Sequence, residues 1–241
     1  MSIFGKKFEH IFFDCDSTLS AMEGIDELAA LKNKKTEIAA TTNLAMNGDL
    51  DFLTALQRRL EVIRPSRSDL RHIGGLYIQK ITPHAVETIR QLHGDGKKVY
   101  IVSGGFLESI VPLAERLGIA SDRIFANEIY FNSDGHYSGF NETLHTAKSH
   151  GKKMIAETFQ GLKAFIGDGA SDLEAKDAVD LMIGFCGVAR RKIIDENADV
   201  VIYENDLSVL ISILNSIENH HQTELISLPV KLNHPELRAN S

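Results

Sequence analysis

A chain of 241 residues, 43% hydrophobic and 24% charged, with 18 Gly and only 5 Pro, has globular composition, which excludes a disordered or collagen-like chain. At about 150 residues per domain it holds one large α/β domain or a core carrying a smaller insertion. A formal charge of −7, from 26 Lys and Arg against 33 Asp and Glu, and the lack of any basic stripe argue against nucleic acid as a partner.

The opening residues MSIFGKKFEH lack the apolar run of a signal peptide, and no stretch approaches the roughly 20 apolar residues of a membrane span. A soluble protein with no membrane partner is expected. Two cysteines, Cys15 and Cys186, are too few for a disulfide framework or a zinc site and point to the reducing cytoplasm. The ten histidines show no metal-binding spacing within a motif and are expected at the surface.

In chain order, the first short apolar run, His10–Phe13, reads as a buried strand. Residues 20–78 hold helical patterns and no convincing strand, so they are expected to form a small helical cap inserted after that strand, on a core made of residues 1–19 and 79–219. On the best cap helix Phe52, Leu56, Arg59 and Ile63 share one face, while Arg58 points elsewhere. Further strands are expected at 99–102, 164–166, 200–203 and, more weakly, at Leu181–Phe185. Helical stretches at 84–93, Leu107–Leu117, 153–159, 172–178 and 207–217 alternate with them. That alternation predicts an α/β fold with a doubly wound, Rossmann-like parallel sheet. Residues 124–140, with an Asn-Ser-Asp-Gly turn, read as a β-hairpin hung on the sheet. The tail 220–241, with Pro229, Pro235 and weak periodicity, is expected to be loosely packed.

Doubly wound sheets bind ligands at the carboxyl ends of their strands. The first run ends in Asp14-Cys15-Asp16-Ser17-Thr18, the second in Ser103-Gly104-Gly105, and the run at 164–166 in Gly167-Asp168-Gly169-Ala170-Ser171-Asp172. If strand geometry persists, Asp14 and Asp16 emerge on one side, and Asp168 arrives from a neighbouring strand end. One such Asp would ordinarily be a turn or helix cap. Three in one place repel, and a hard divalent cation with oxygen ligands, Mg²⁺, is the usual answer. Ser103-Gly104-Gly105 precedes a helix whose free N–H groups favour an anion. Lys152 opens a helix where the dipole disfavours a cation, so a specific anionic partner is expected there.

These residues, in this order, resemble the haloacid dehalogenase superfamily and, within it, the phosphoserine phosphatase family. The matching motifs are DxDST at Asp14 to Thr18, the serine of Ser103-Gly104-Gly105, Lys152, and Gly167 to Asp172. Glu23-Gly24-Ile25-Asp26-Glu27-Leu28, the segment from Met46 to Arg59 and Phe125-Ala126-Asn127 add to the likeness, which runs from about Phe8 to Ser216. The resemblance implies a Mg²⁺-dependent phosphatase for a small-molecule substrate, phosphoserine, hydrolysed through an aspartyl phosphate in the last step of serine biosynthesis. It implies Asp14 as nucleophile and Asp16 as acid and base. The metal would be held by the Asp14 carboxylate, the Asp16 backbone carbonyl and Asp168, with Lys152 offsetting phosphoryl charge. Ser103, Gly104 and Gly105 would meet the phosphate, Ser171 would line the pocket, and Asp172 would orient Lys152 or the metal's waters.

Selectivity is expected from the cap: Glu23 for the ammonium of phosphoserine and Arg59 for its carboxylate, with Met46 and Phe52 lining the pocket. Transfer of the phosphoryl group to another acceptor such as homoserine uses the same intermediate and stays open. A phosphoacceptor signalling module has no place for a cap at 20–78. The oligomeric state, monomer or homodimer, is left open.

Overall fold

The computed structural model of the chain describes residues 3–46 and 50–238. Its central strand, β1 (His10–Phe13), alternates between two cores: Ile11 and Phe13 join one apolar cluster, and Phe12 joins another on the opposite face. β6 (Lys163–Gly167) divides in the same way, with Ala164 and Ile166 on one side and Phe165 on the other. Burial on both faces is why these strands read as continuous apolar runs.

The sheet has seven strands in the order β3 (Ile124–Asn127), β2 (Lys98–Phe106), β1, β6, β7 (Leu181–Phe185), β8 (Val200–Ile202) and β9 (Val230–Leu232). All neighbours are parallel except β8 and β9. The chain leaves β1 toward β2 on one side and returns to β6 on the other, so a switch point lies between β1 and β6, where such sheets open a crevice.

Four helices follow β1: α1 (Gly24–Leu31), α2 (Lys35–Met46), α3 (Phe52–Ile63) and α4 (Arg67–Gln79). Asp51 caps α3 by accepting from the Thr54 N–H at 3.0 Å, and Ser66 and Asp69 form a capping box on α4. These caps fix where each helix starts, and each then buries one stripe: Leu56, Leu60 and Ile63 on α3, and Leu70, Ile73 and Tyr77 on α4. After α5 (Ala85–Gly94) and β2 comes α6 (Leu107–Leu117), against which α4 packs, with Ser109 Oγ donating to the Leu70 carbonyl at 3.0 Å.

The expected hairpin at 124–140 divides in two. Ile124–Asn127 is the parallel edge strand β3, and the hairpin proper is β4 (Ile129–Phe131) with β5 (Tyr137–Phe140). Asn132 organises its turn, its Oδ1 accepting from the Asp134 and His136 N–H groups at 3.1 and 2.9 Å. After α7 (Gly151–Glu157) and β6, the expected helix at 172–178 is a short α8 (Ala170–Leu173) and a separate 3-10 turn at Lys176–Ala178. β7 and β8 are bridged by α9 (Lys192–Asn197), and α10 (Val209–Glu218) follows. Among the described residues no helix is long and apolar enough to cross a membrane.

The tail departs from expectation. Instead of lying loosely, it forms α11 (Gln222–Ser227) and β9, which adds antiparallel to the free edge of β8. Leu225 and Leu237 are fully buried, and Asn233 Nδ2 donates to the carbonyls of Asp195 and Ala198, each at 2.9 Å. Three-residue edge strands flanked by proline carry no readable period, which is why the sequence pattern missed this one. Leu237→Ala should therefore lower the unfolding free energy by about 2–4 kcal/mol in a urea titration. A loss under about 0.5 kcal/mol, the level of an ordinary surface change, would show that the tail adds nothing to the core.

Candidate active site

At the carboxyl ends of β1 and β6 the sheet delivers Asp14 and Asp168, both buried. Lys152, second residue of α7, reaches between the strand ends. Its Nζ lies 3.0 Å from Asp14 Oδ1 and 2.5 Å from Asp172 Oδ1. Burial pulls this ammonium toward deprotonation, but the charges of Asp14 and Asp172 outweigh it and the net shift is upward. Asp172 is itself fully buried. Burial and the Asp14 charge push its carboxyl up against the pull of Lys152. Its Oδ2 accepts from the Asp168 and Gly169 N–H groups at 3.0 and 2.8 Å, so both its oxygens are engaged.

Asp16 lies beyond the end of β1. β1 ends at Phe13, and Ser17 turns the chain at a φ of 53°, so the period of two is lost before Asp16. Its Oδ1 accepts instead from Tyr77 Oη at 2.6 Å and from the Gly24 N–H at 2.8 Å. Burial, with the charges of Glu23 and Asp14, raises this carboxyl to about 7.

The closely spaced acids are Asp14, Asp168 and Asp172, each offering an oxygen within 4.8 Å of the others. Asp168 Oδ2 is buried and has Arg191 Nη1 as its ion-pair partner, and three hard carboxylate oxygens gathered this closely fit a hard cation. The set can hold a metal ion.

Ser103, Gly104 and Gly105 lie within β2, in the stretch where its register with β3 shifts, rather than in a free turn. Ser103 is buried, and its Oγ accepts from the Gly105 N–H at 3.0 Å. Asn127 holds this stretch from β3, its Nδ2 donating to the Gly104 carbonyl at 2.8 Å. From the cap side Phe52 comes down on the same spot: a methyl group added at Gly104 would lie 3.0 Å from its ring. Phe52, Gly104, Lys152 and Ser171 together bound a narrow cavity of about 30 Å³, room for one water-sized group.

Arg59 is half-buried on α3, its Nε donating to the Ala55 carbonyl at 3.2 Å. Burial lowers its pKa against the charges of Asp26 and Glu23, which places it on the acidic side of the cap. Arg58 is exposed. Glu23 stands at the N-cap of α1 without capping it. Its Oε1 accepts from Ser17 Oγ at 2.8 Å and from Arg191 Nη2 at 2.9 Å. Met46 ends α2, and its side chain lies outside the described ones.

Sequence reasoning missed Tyr77 and Arg191. Tyr77 had a signal: it continues the apolar stripe of Leu70 and Ile73, and a buried tyrosine hydroxyl needs a partner. Arg191 follows the carboxyl end of β7, a strand end that the sequence reading left out.

Carboxylates and a lysine gathered at the carboxyl ends of adjacent parallel strands, beneath a helical layer, define an α/β enzyme that handles small anionic substrates. The chain belongs to the haloacid dehalogenase-like hydrolases, whose family model matches residues 8–179, and among them to the phosphoserine phosphatase family. It is 37% identical over 194 residues to the phosphoserine phosphatase of Bos taurus, covering 78% of this chain and 86% of that protein. A solved structure of a phospho-aspartyl intermediate analogue of phosphoserine phosphatase matches with a TM-score of 0.72 and 32% identity, over 86% of this chain and 98% of that one. A substrate-bound phosphoserine phosphatase matches with a TM-score of 0.73 and 31% identity over the same shares.

Tyr77→Phe leaves the Asp16 carboxylate with one donor fewer in a buried setting. The variant should be less stable by about 1–2 kcal/mol in urea unfolding, and a change below about 0.3 kcal/mol would show that the bond contributes nothing net.

Proposed function

We propose that the chain hydrolyses phosphoserine to serine and phosphate, with Asp14 as nucleophile and Asp16 as general acid and base, in a cap-and-core arrangement of residues 20–78 over the sheet. The carrying observation is the buried Lys152 between Asp14 and Asp172, which supports an ionised Asp14 beside a cation able to take phosphoryl oxygens. Asp14 Oδ attacks phosphorus, the bond from phosphorus to the serine oxygen breaks, and Asp16 gives that oxygen its proton. An Asp16 raised to about 7 by burial and its acidic neighbours is suited to donate near neutral pH. Asp16, now a carboxylate, then takes a proton from water as the water oxygen attacks the aspartyl phosphate, releasing phosphate and restoring Asp14.

Mg²⁺ would be held by the Asp14 carboxylate, the Asp16 backbone carbonyl and Asp168, where it supplies positive charge opposite the phosphoryl oxygens. Asp172, with both oxygens engaged, is assigned to orienting Lys152 and the Asp168 loop. Ser103 and the Gly104 amide take the phosphate, with Gly105 in the same stretch, and Ser171 and Phe52 border the cavity beside it. Glu23 receives the substrate ammonium and Arg59 its carboxylate. The charge of Glu23 acts on Arg59, which supports a zwitterionic ligand held by the two. Two buried free cysteines fit a reducing cytoplasm.

Chelation by EDTA should abolish phosphate release from phosphoserine, and added Mg²⁺ should restore it. Full activity in EDTA would overturn the metal assignment. Arg59→Ala should reduce kcat/KM for phosphoserine by tens of fold more than for phosphoethanolamine, which lacks the carboxylate, because a buried charge left without its partner costs about 3–5 kcal/mol. Equal losses on the two substrates would mean that Arg59 supports the cap rather than reading the ligand.

A further inference from the structure

Arg191 is the cap residue of α9, held on extended backbone just past the end of β7. Its guanidinium reaches two acids that come from far apart in the chain. Nη1 forms an ion pair with the Asp168 carboxylate and donates to the Asp168 carbonyl at 3.1 Å, while Nη2 donates to Glu23 Oε1 at 2.9 Å. The arginine and Glu23 side chains keep 29% and 38% exposure, so solvent and ligands can reach this bridge, whereas Asp168 keeps 4%.

We propose that Arg191 is a positioning residue, an internal cation shared by Asp168 and Glu23 that the metal ion and the substrate's ammonium displace together, so that the two ligands bind with positive coupling. The inference rests on the reading of Asp168 as a magnesium ligand and of Glu23 as the ammonium's partner. A guanidinium is planar and its nitrogens keep a fixed spacing, so a movement that takes Nη1 off Asp168 also disturbs Nη2 on Glu23. A divalent ion at Asp168 and a guanidinium on the same carboxylate repel each other, and an ammonium at Glu23 repels it likewise. Whichever ligand arrives first breaks the bridge, and the second meets an acid already released. That is a coupling free energy, reciprocal between the two sites. Glu23 has a second partner in the Ser17 hydroxyl at 2.8 Å, a contact that does not depend on the arginine.

The test is calorimetric titration of Mg²⁺ into the full chain with and without saturating L-serine, the product that carries the ammonium but no phosphate. Wild type should bind Mg²⁺ about fivefold or more tightly with serine present. Arg191→Ala should bind Mg²⁺ more tightly than wild type in the absence of serine, and the gain from serine should fall below about twofold, within ordinary scatter for uncoupled sites. Arg191→Lys keeps a positive charge for folding, but a single ammonium does not span both acids, so it too should lose the coupling. This variant carries the test if the alanine variant fails to fold. Coupling of wild-type size in either variant, or none in wild type, would overturn the role of Arg191. Asp168→Asn separates the layers. If it binds Mg²⁺ as wild type does, the metal site itself is misassigned and the inference falls with it. If it abolishes binding while Arg191→Ala and Arg191→Lys keep the coupling, only the bridge is wrong.

Discussion

Lys152 sits almost free of solvent with Asp14 at 3.0 Å and Asp172 at 2.5 Å, and a buried ammonium persists only where carboxylates face it closely. Much of the architecture around it follows from keeping those three charges together. Asp14 comes from the end of β1 and Asp172 from α8, just after β6, so the two strands must be neighbours and run in the same direction, as they do with Phe13 opposite Ile166. The Asp14 N–H donates to the Ile166 carbonyl at 2.9 Å, tying the first acid to the neighbouring strand. Gly167 closes the other side. A Cβ there would fall 2.3 Å from Asp172 Cγ, so only glycine lets that carboxylate fold back under the strand end. α7 then delivers the lysine from outside the sheet.

The helical layer completes this centre rather than merely covering it. Tyr77 on α4 and the Gly24 N–H at the start of α1 both donate to one oxygen of Asp16, so the second acid of the first motif is oriented by elements outside the sheet. Phe52 on α3 closes over Gly104, while α4 is anchored to α6 by packing and by the Ser109 to Leu70 contact. The acid raised to about 7 thus owes its state to the layer that excludes water from it and to the neighbouring charges of Glu23 and Asp14. Cap and core share one electrostatic problem, the concentration of acids, and answer it with Lys152 on one side and with Arg191 and Arg59 on the other.

How far this was readable from the sequence varied with the range of the interaction. β1, β7 and α6 stand where local pattern put them, because strands buried on both faces and a one-sided helix leave continuous or periodic apolar runs. Ser103-Gly104-Gly105 is expected to follow a strand that ends at 102 and to precede a helix, yet β2 runs on through it to Phe106, since the local residues do not say where a strand stops pairing. The stretch at 124–140 held turn residues that announced a hairpin, but nothing local distinguished the strand that joins the main sheet from the pair that stands apart from it.

By itself the sequence determined the parallel α/β core, the helical insert, and the chemical types gathered at the strand ends, because each depends on residues within a few positions of one another. The tertiary structure alone decided where those groups point. Asp16 turns to Tyr77, 61 residues away, and Arg191 spans 168 residues to reach Glu23. It also decided that the proline-bearing tail becomes an edge strand, since the free edge of β8 selects it and its own residues do not. The physical reason is the same throughout: burial patterns repeat along the chain and can be read from it, whereas a charge finds its partner across space, through whichever distant elements the packed sheet brings beside it.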